Sequence, residues 1–423
     1  MTHRSNRHFE IFYLLLAFGV LTIPFSIFFQ LPIIILLVIN FIAEWNWKEK
    51  YNNLTNNGLK TEFLIFSIFT AVYLLGVTYS SNLRYAFSDL ECKLFLFLMP
   101  FVIFTQKKEN FTKDRVEKLF FLFILSVILL IITNFTISTC NFVKRHDIHQ
   151  FLYSRLSHFT HPSYSALYAT TAFLLILHFL FINPVKEKKW KILLWLGLPL
   201  TVIYIFALQS KAGLLVFLLT ALADVLYIIN RKQRRIAVTL CFLISCMAII
   251  FVMAKFTPVL ERMGQAVRVA TEGGVNEASQ ESTGIRVIAW REACAVGLRQ
   301  PVFGVGTGDV KDMLVAQYET QGFTYMAQKG INAHNQYLQT FIALGFIGLL
   351  SLIAALIFPM ANSIRQRNFT AAIWWFAIIC NLLVECMFEI RAGSDFIATF
   401  GCLLCYYVNV FDRQERAPVQ IQQ

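Results

Sequence analysis

Twelve apolar blocks of about 18–25 residues follow one another along the chain and limit its possible folds more than any other feature. As an α-helix, such a block is long enough to cross a hydrocarbon core of about 30 Å. Composition agrees: 57% of the 423 residues are hydrophobic and 15% are charged, whereas soluble domains are about 25% charged. We therefore predict an all-α, polytopic integral membrane protein with about 12 transmembrane helices. The blocks fall near 9–27, 29–47, 62–80, 86–105, 117–139, 162–183, 190–207, 209–229, 236–254, 334–358, 370–390 and 392–411.

The distribution of Lys and Arg predicts the orientation of these spans. If the N-terminus is cytoplasmic, 22 of the 37 Lys and Arg residues lie in short cytoplasmic segments, and each of these short connections is basic. Both termini are therefore predicted to be cytoplasmic. The net charge of +12 then reflects contact with membrane lipids, and no nucleic-acid partner is predicted.

One long polar segment, residues 255–333, is predicted to form a loop on the non-cytoplasmic side. It separates an N-terminal membrane part, 1–254, with about nine spans from a C-terminal part, 334–423, with about three spans and a short cytoplasmic tail. Within the loop, the Gly- and Ser-rich stretch 271–284 is predicted to be flexible.

The block at 86–105 is the weakest of the predicted spans, because the charged residues Asp89, Glu91 and Lys93 lie near its beginning.

The cysteines do not predict a disulfide framework, because most of the nine lie inside apolar blocks.

The second half of the long loop has the clearest local pattern. Residues 286–299 have helical periodicity, which predicts an amphipathic helix at the membrane surface. Pro301 and three glycines, in the pattern Gly-x-Gly-x-Gly, then end it. No strand precedes these glycines, so they are interpreted as a turn that folds back toward the membrane and not as a dinucleotide site. The predicted apolar face of the helix comprises Val287, Trp290, Ala293, Cys294 and Leu298.

His334 lies where the long loop enters the next span, and it is the only histidine in the second half of the chain. An imidazole at such a boundary can be a plain interfacial residue. Here it is followed by Asn335, whose amide could orient the ring, and it is preceded by a loop that contains several arginines. These features favour a functional role.

The order Arg-x3-Trp, Pro-x2-Gly-x-Gly-x-Gly and His-Asn-x-Tyr-Leu, followed by a helix with Gly345 and Gly348, resembles the O-antigen ligase/polymerase superfamily. The most specific part of the resemblance covers about 286–348. The number of spans and the position of the loop are also similar, so the resemblance extends to most of the chain. It implies a bacterial inner-membrane glycosyltransferase with its active site on the periplasmic side. The implied donor is a glycan on undecaprenyl pyrophosphate, and the implied acceptor is a hydroxyl of the lipid A-core.

The resemblance also implies an inverting reaction that needs no cofactor and no metal. Pyrophosphate is already a good leaving group, so cations that bind it matter more than a strong acid. By resemblance, Arg286 is the loop arginine that contacts phosphate, and His334 is the essential histidine. Where the family has Ser-Arg, this chain has Ser210-Lys211, so that the charge is kept and the bidentate geometry is lost. The further binding residues predicted for pyrophosphate or acceptor are Arg155, Arg291, Asn335 and Tyr337.

The segment 141–161, predicted on the same side as the long loop, contains four histidines within 16 residues, His146, His149, His158 and His161. Their spacing leaves a zinc site open, although acidic or Cys ligands are few there. Glu385, Glu389 and Arg391 near the last spans are interpreted as a buried charge network that could simply fix helix register.

Three other functions remain open. The chain could be a polymerase of the same superfamily, which uses a second lipid-linked glycan as acceptor, or a protein O-oligosaccharyltransferase. From a different class, it could be a transporter or flippase. That last function predicts repeat symmetry and broken helices at mid-membrane, and neither is evident in the sequence.

Overall fold

The computed structural model describes residues 2–25, 28–231 and 282–412, and the regular elements in these ranges are all helices. The predicted span at 236–254, the first part of the long loop with most of the stretch 271–284, and the C-terminal tail lie outside the described residues. Nine helices precede the gap in the description: α1 (Thr2–Thr22), α2 (Gln30–Glu44), α3 (Trp47–Asn56), α4 (Lys60–Val77), α5 (Leu83–Ile103), α6 (Lys113–Arg145), α7 (Pro162–Leu177), α8 (Lys188–Ala207) and α9 (Lys211–Arg231).

Six more helices follow the gap: α10 (Ser282–Gly297), α11 (Val310–Thr320), α12 (Thr324–Lys329), α13 (Gln336–Arg365), α14 (Phe369–Leu382) and α15 (Arg391–Tyr407). Short 3₁₀ turns lie at Ile148–Phe151, Tyr153–Arg155 and Met387–Glu389, and π turns extend α7 and α15 over His178–Ile182 and Val408–Asp412.

Within the described residues, seven helices are long and apolar enough to cross a membrane. The number rises to eight if α2 and α3, which meet at 110°, are one bent span. These findings confirm a polytopic, all-α membrane protein, and eleven of the twelve predicted blocks overlap a described helix. The full number of 12 spans stays a prediction.

The ends of several helices have local sequence causes. Thr112 accepts a hydrogen bond from the backbone N–H of Arg115 and so caps α6. Pro162 occupies the first turn of α7, where its missing N–H is not needed, and the side chain of His161 caps that helix. Asn335 caps α13 by accepting from the N–H of Leu338 over 3.1 Å. Each cap lies where an apolar block meets a connection.

The glycine segment, defined as residues 301–308, packs against the middle of α13 and not merely near the membrane surface. Gly345 has φ +60° and interrupts α13. At this break, the N–H groups of Val305 and Gly306 donate to the carbonyls of Ile342 and Ala343, each over 2.9 Å. The N–H of Phe346 in turn donates to the carbonyl of Pro301 over 2.8 Å. The glycine segment therefore replaces the helical hydrogen bonds that the break removes.

Asp309, directly after the glycine segment, fixes this part of the loop to the connection between α4 and α5. Its carboxylate accepts from the backbone N–H groups of Ser81 and Asn82 over 2.7–3.0 Å. The hydroxyl of Tyr79 donates to the carbonyl of Phe303 over 2.6 Å. The long loop is thus anchored on the same face as the start of α5.

The predicted apolar face of α10 is not the face by which it packs onto the protein. Ala293 is buried, but Val287 and Trp290 are half-buried, and Cys294 and Leu298 are exposed. The packed face is rotated, because small residues allow α10 to approach α13 closely. A Cβ on Gly297, for example, would lie 2.6 Å from the ring of Phe341. The buried residues of α10 include Ile285, Ile288, Ala289, Glu292 and Val296.

The charged residues at the beginning of α5 form ion pairs. Lys93 is fully buried and contacts the carboxylates of Asp89, one turn earlier, and Glu389, from which its Nζ is 2.7 Å distant. Glu91 contacts Arg391 at the start of α15. These pairs explain how a helix with charges in its first half packs inside the protein.

Candidate active site

The candidate site is built around Glu385, which lies in the link between α14 and α15. Its Oε1 accepts from the Nη2 of Arg286, on α10, over 2.8 Å. The same oxygen accepts from the Oγ of Ser163, in the first turn of α7, over 3.0 Å. The Nδ1 of His334 lies 3.9 Å from the other oxygen, Oε2. One buried carboxylate therefore joins three distant parts of the chain.

The beginning of α9 contacts the candidate site through a pair of serines. The hydroxyls of Ser163 and Ser210 are 3.2 Å apart, and both side chains are buried. Lys211 directly follows Ser210 and begins α9. Ser210 also accepts from the N–H of Gly213 over 3.2 Å. The N-terminal ends of α7, α9 and α13 thus converge at the site, and helix N-termini favour anions.

Two residues beside the site have left-handed backbone conformations that non-glycine residues rarely adopt. His334 has φ 46° and Gln209 has φ 47°. Such a conformation costs about 1–3 kcal/mol and persists only where the surroundings hold it. At His334, the N–H donates to the side chain of Asn332 over 3.0 Å. The indole N–H of Trp290 approaches the His334 carbonyl at 3.5 Å.

The electrostatics of the site keep Glu385 ionised. Burial alone raises the pKa of Glu385, but the neighbouring imidazole of His334 and the positive charge of Arg286 outweigh burial and hold the pKa below its ordinary value. The pKa of His161, at the start of α7, is lowered, chiefly by burial and also by the nearby Arg286. The site therefore contains a stable carboxylate beside a cation and two imidazoles.

Arg286 and His334, the two residues predicted to be catalytic, both lie beside Glu385. Lys211 is close to them, because its neighbour Ser210 contacts Ser163. The other predicted binding residues make different contacts. Asn335 caps α13, and the hydroxyl of Tyr337 donates to the carbonyl of Ile379 over 3.1 Å. Arg291 pairs with Glu292 over 2.7 Å.

Arg155, predicted to supply a further cation, contacts Asp147 and is more than half exposed. In the described residues, no group of three or more His, Cys, Asp or Glu side chains is arranged to hold a metal ion. The zinc arrangement left open for the four histidines of 141–161 is thus not formed: His161 lies beside Glu385, and the Nε2 of His158 lies 3.3 Å from the Oγ of Ser138.

Glu385 and Ser163 are the site residues that the sequence did not assign. Glu385 was interpreted as part of a network for helix register, and Ser163 had no role. The only sequence signals were a carboxylate beside an apolar block and a serine after the His-Pro start of α7.

Two cavities have the size of a ligand site. One, of about 600 Å³, adjoins the candidate site and is mostly apolar. It is lined by Phe25, Phe28, Phe29, His158, Phe159, Thr160, His161, Tyr164, Ile390 and Ala392. The other, of about 640 Å³, lies between α6 and α8 near the opposite end of α7 and contains none of the candidate site residues.

These features define a polytopic helical membrane protein with a buried, charged site at one face, closed by part of a long loop. Residues 192–353 match the family model described as O-antigen ligase. This match covers less than half of the chain and supports a membrane protein of the O-antigen ligase superfamily. The matched region includes Lys211, Arg286 and His334 but not Ser163 or Glu385. No curated protein matches the chain.

Proposed function

We propose that this protein transfers a glycan from undecaprenyl pyrophosphate to a hydroxyl of the lipid A-core at the periplasmic face of the bacterial inner membrane. The observation that carries this proposal is the convergence of Arg286 and His334 on the buried carboxylate of Glu385. A fixed cation and an imidazole held side by side suit a reaction in which an anionic leaving group departs and a hydroxyl loses its proton.

In the proposed reaction, the acceptor oxygen attacks the anomeric carbon of the donor sugar, opposite to the bond that breaks. The bond between that carbon and the phosphate oxygen breaks, and undecaprenyl pyrophosphate leaves with the electron pair. The acceptor's proton passes to His334. Because the attack is opposite to the bond that breaks, the product has an inverted anomeric centre. Atoms and charges balance without a cofactor or metal.

Each site residue has a distinct proposed role. Glu385 would hold the Nδ1–H of His334, which leaves the Nε2 to take the acceptor's proton, as a carboxylate does for the base of a catalytic triad. Arg286 carries a planar guanidinium with five N–H donors, a geometry that suits phosphate oxygens as well as the carboxylate of Glu385. Lys211 and the N-termini of α7 and α9 would add positive potential for the pyrophosphate.

The apolar cavity beside His161 supports an amphiphilic substrate. It has about 600 Å³ of volume and adjoins the charged site. A lipid-linked substrate has the same division, with a charged head next to an apolar chain. The connection between α4 and α5 and the beginnings of α7, α9, α13 and α15 meet at this face. The active site and the described part of the long loop therefore lie on one side, which we propose to be periplasmic.

The test is a transfer assay with purified protein and a labelled undecaprenyl pyrophosphate-linked glycan. Three acceptors are supplied in turn: lipid A-core, a second donor molecule and a peptide. Product on lipid A-core supports the proposed ligase activity. Chain extension of the second donor molecule would instead support a polymerase, and a glycopeptide would support a protein glycosyltransferase. No turnover with any acceptor overturns the enzymatic proposal and favours a transporter.

The same assay tests the site. His334→Ala and Arg286→Ala should abolish transfer while the protein is still inserted and monodisperse in detergent. Arg365→Ala is the control for Arg286, because Arg365 is an exposed arginine at the far end of α13 and has no proposed role in the site. Full activity of either site variant would contradict the assigned roles.

A further inference from the structure

A second polar cluster lies directly behind the candidate site. It consists of Glu389, Gln336, Gln339 and the buried ion pairs of Lys93. The side chains of both glutamines are buried, with at most 3% of their surface exposed. Burying such polar groups beside apolar helices is costly unless they are hydrogen-bonded or paired, so the partners of each group have to be accounted for.

The two glutamines, one turn apart on α13, hold the two oxygens of Glu389. The amide of Gln336 donates to Oε1 over 3.3 Å, and the amide of Gln339 donates to Oε2 over 3.4 Å. The third partner of this carboxylate, Lys93, is 2.7 Å away. Glu389 is therefore held from three sides and cannot change rotamer without breaking all three contacts.

The other end of each glutamine holds a backbone segment of the candidate site. The side-chain oxygen of Gln336 accepts from the N–H of Phe388 over 2.8 Å, which fixes the link that contains Glu385. The side-chain oxygen of Gln339 accepts from the N–H of Ala333 over 3.2 Å, which fixes the residue just before His334. Both segments that meet at the His334–Glu385 pair are thus tied to the same carboxylate.

We infer that Gln336 and Gln339, through Glu389 and Lys93, are positioning residues that set the distance between His334 and Glu385. This inference rests on the proposed function for its catalytic consequence but not for its geometry. The left-handed backbone of His334 needs such support, because that conformation is unfavourable by itself. An error of about 1 Å in a catalytic group can lower a rate by about 100-fold.

The first test is kinetic. Gln336→Met and Gln339→Met keep the side-chain length and remove the hydrogen bonds. We expect each to lower kcat by about 10- to 100-fold while the KM for the donor changes by less than about threefold. Gln328→Met, at an exposed glutamine of α12, is the control and should match the wild type. An unchanged kcat, or a loss confined to KM, would overturn the inference.

A second variant separates positioning from general destabilisation. Gln336→Glu places a carboxylic acid against Glu389, with Asp89 and Lys93 nearby. When protonated, the new group can donate to Glu389, and when ionised it repels it. We expect the pH profile of kcat for Gln336→Glu to be displaced toward acid, with near wild-type rates at its acidic end. A profile parallel to that of the wild type would contradict a positioning role.

The third readout needs no substrate. The imidazole signals of His334 can be recorded by NMR in histidine-labelled protein, with His334→Ala to assign them. The ring lies beside Glu385, so a changed distance to Glu385 should change the chemical shifts of the imidazole in Gln336→Met. If the wild type transfers no glycan, the proposed function fails, and these spectra alone decide the positioning inference. Unchanged imidazole shifts overturn it.

Discussion

The Nη2 of Arg286 lies 2.8 Å from the Oε1 of Glu385, although the two residues are 99 positions apart in the sequence. This contact joins α10 to the link between α14 and α15. Because Ser163 donates to the same oxygen, the long loop, an N-terminal span and the C-terminal spans meet at one atom. The proposed chemistry depends on that meeting point.

Arg286→Lys tests whether charge alone suffices at this point. Lysine keeps the positive charge but has no planar fork to hold Glu385 and a phosphate oxygen together. We expect transfer to fall by about 10- to 100-fold, which a steady-state assay with labelled donor would measure. Arg365→Lys, at an exposed arginine at the end of α13, should behave as wild type. Equal activity of both variants would show that geometry at residue 286 is unimportant.

Glu385→Gln tests the ionised state of the central carboxylate through stability. The pKa of Glu385 is held below the ordinary 4.5, so its stabilising effect is fully present above pH 4.5 and is lost as the pH falls through the folded value. Unfolding in detergent should show Glu385→Gln to be less stable by about 1.5–3 kcal/mol at neutral pH, and the difference should shrink in acid.

The control for this prediction is Glu187→Gln, at an exposed glutamate that pairs with Lys189. It should unfold like the wild type at each pH. A difference for Glu385→Gln that is constant from neutral to acid pH would mean that its carboxylate is not ionised in the folded protein.

Gly345→Ala tests the break in α13. A Cβ at this position would lie 2.3 Å from the carbonyl carbon of Val302, a backbone atom that cannot move aside, and φ is +60°. Overpacking and backbone strain together should cost about 3–5 kcal/mol, measured by denaturant or thermal unfolding in detergent. Gly322→Ala is the control, because φ is +77° there but nothing lies within 4 Å of the new Cβ. Equal losses would mean that the close contact has no effect.

Lys93→Met tests the buried ion pairs. Removing the lysine leaves Asp89 and Glu389 buried without their cation, which should cost about 3–5 kcal/mol. Lys118→Met removes a lysine with the same spacing from an aspartate, Asp114, but both side chains are largely exposed. It should leave the unfolding midpoint unchanged. If Lys93→Met also unfolds like the wild type, the buried pairs do not stabilise the protein.

The positions of the helices could be predicted from the sequence, because lipid-facing and buried positions both require apolar residues over a full span. The face by which each helix packs against its neighbours could not be predicted reliably. On α10, two sets of residues have helical spacing, and the small residues Ala289 and Ala293 allow the close approach that selects the observed one. Periodicity alone does not measure how closely a neighbouring helix can come.

The candidate site could be predicted only in part. His334 stood out because it is the only histidine in the second half of the chain and lies where the loop enters a span, and Arg286 stood out by its place in the motif order that carries the family resemblance. Glu385 could not be assigned to them, because nothing in a single sequence states that residue 385 returns to residue 286. Lys93 posed the same problem, since Glu389 lies 296 positions away. Arg155 has a much nearer partner in the sequence, Asp147, with which it pairs in the structure.

The break at Gly345 has a consequence for biogenesis. It lies about nine residues, or about 14 Å of helical rise, from the start of α13, where bare carbonyls would face hydrocarbon. The groups that cover them, the N–H groups of Val305 and Gly306, are synthesised some 40 residues earlier. α13 therefore matures as a membrane helix only after the glycine segment, which is translated earlier, has docked against it. Insertion and folding of this protein cannot be separate stages at this point.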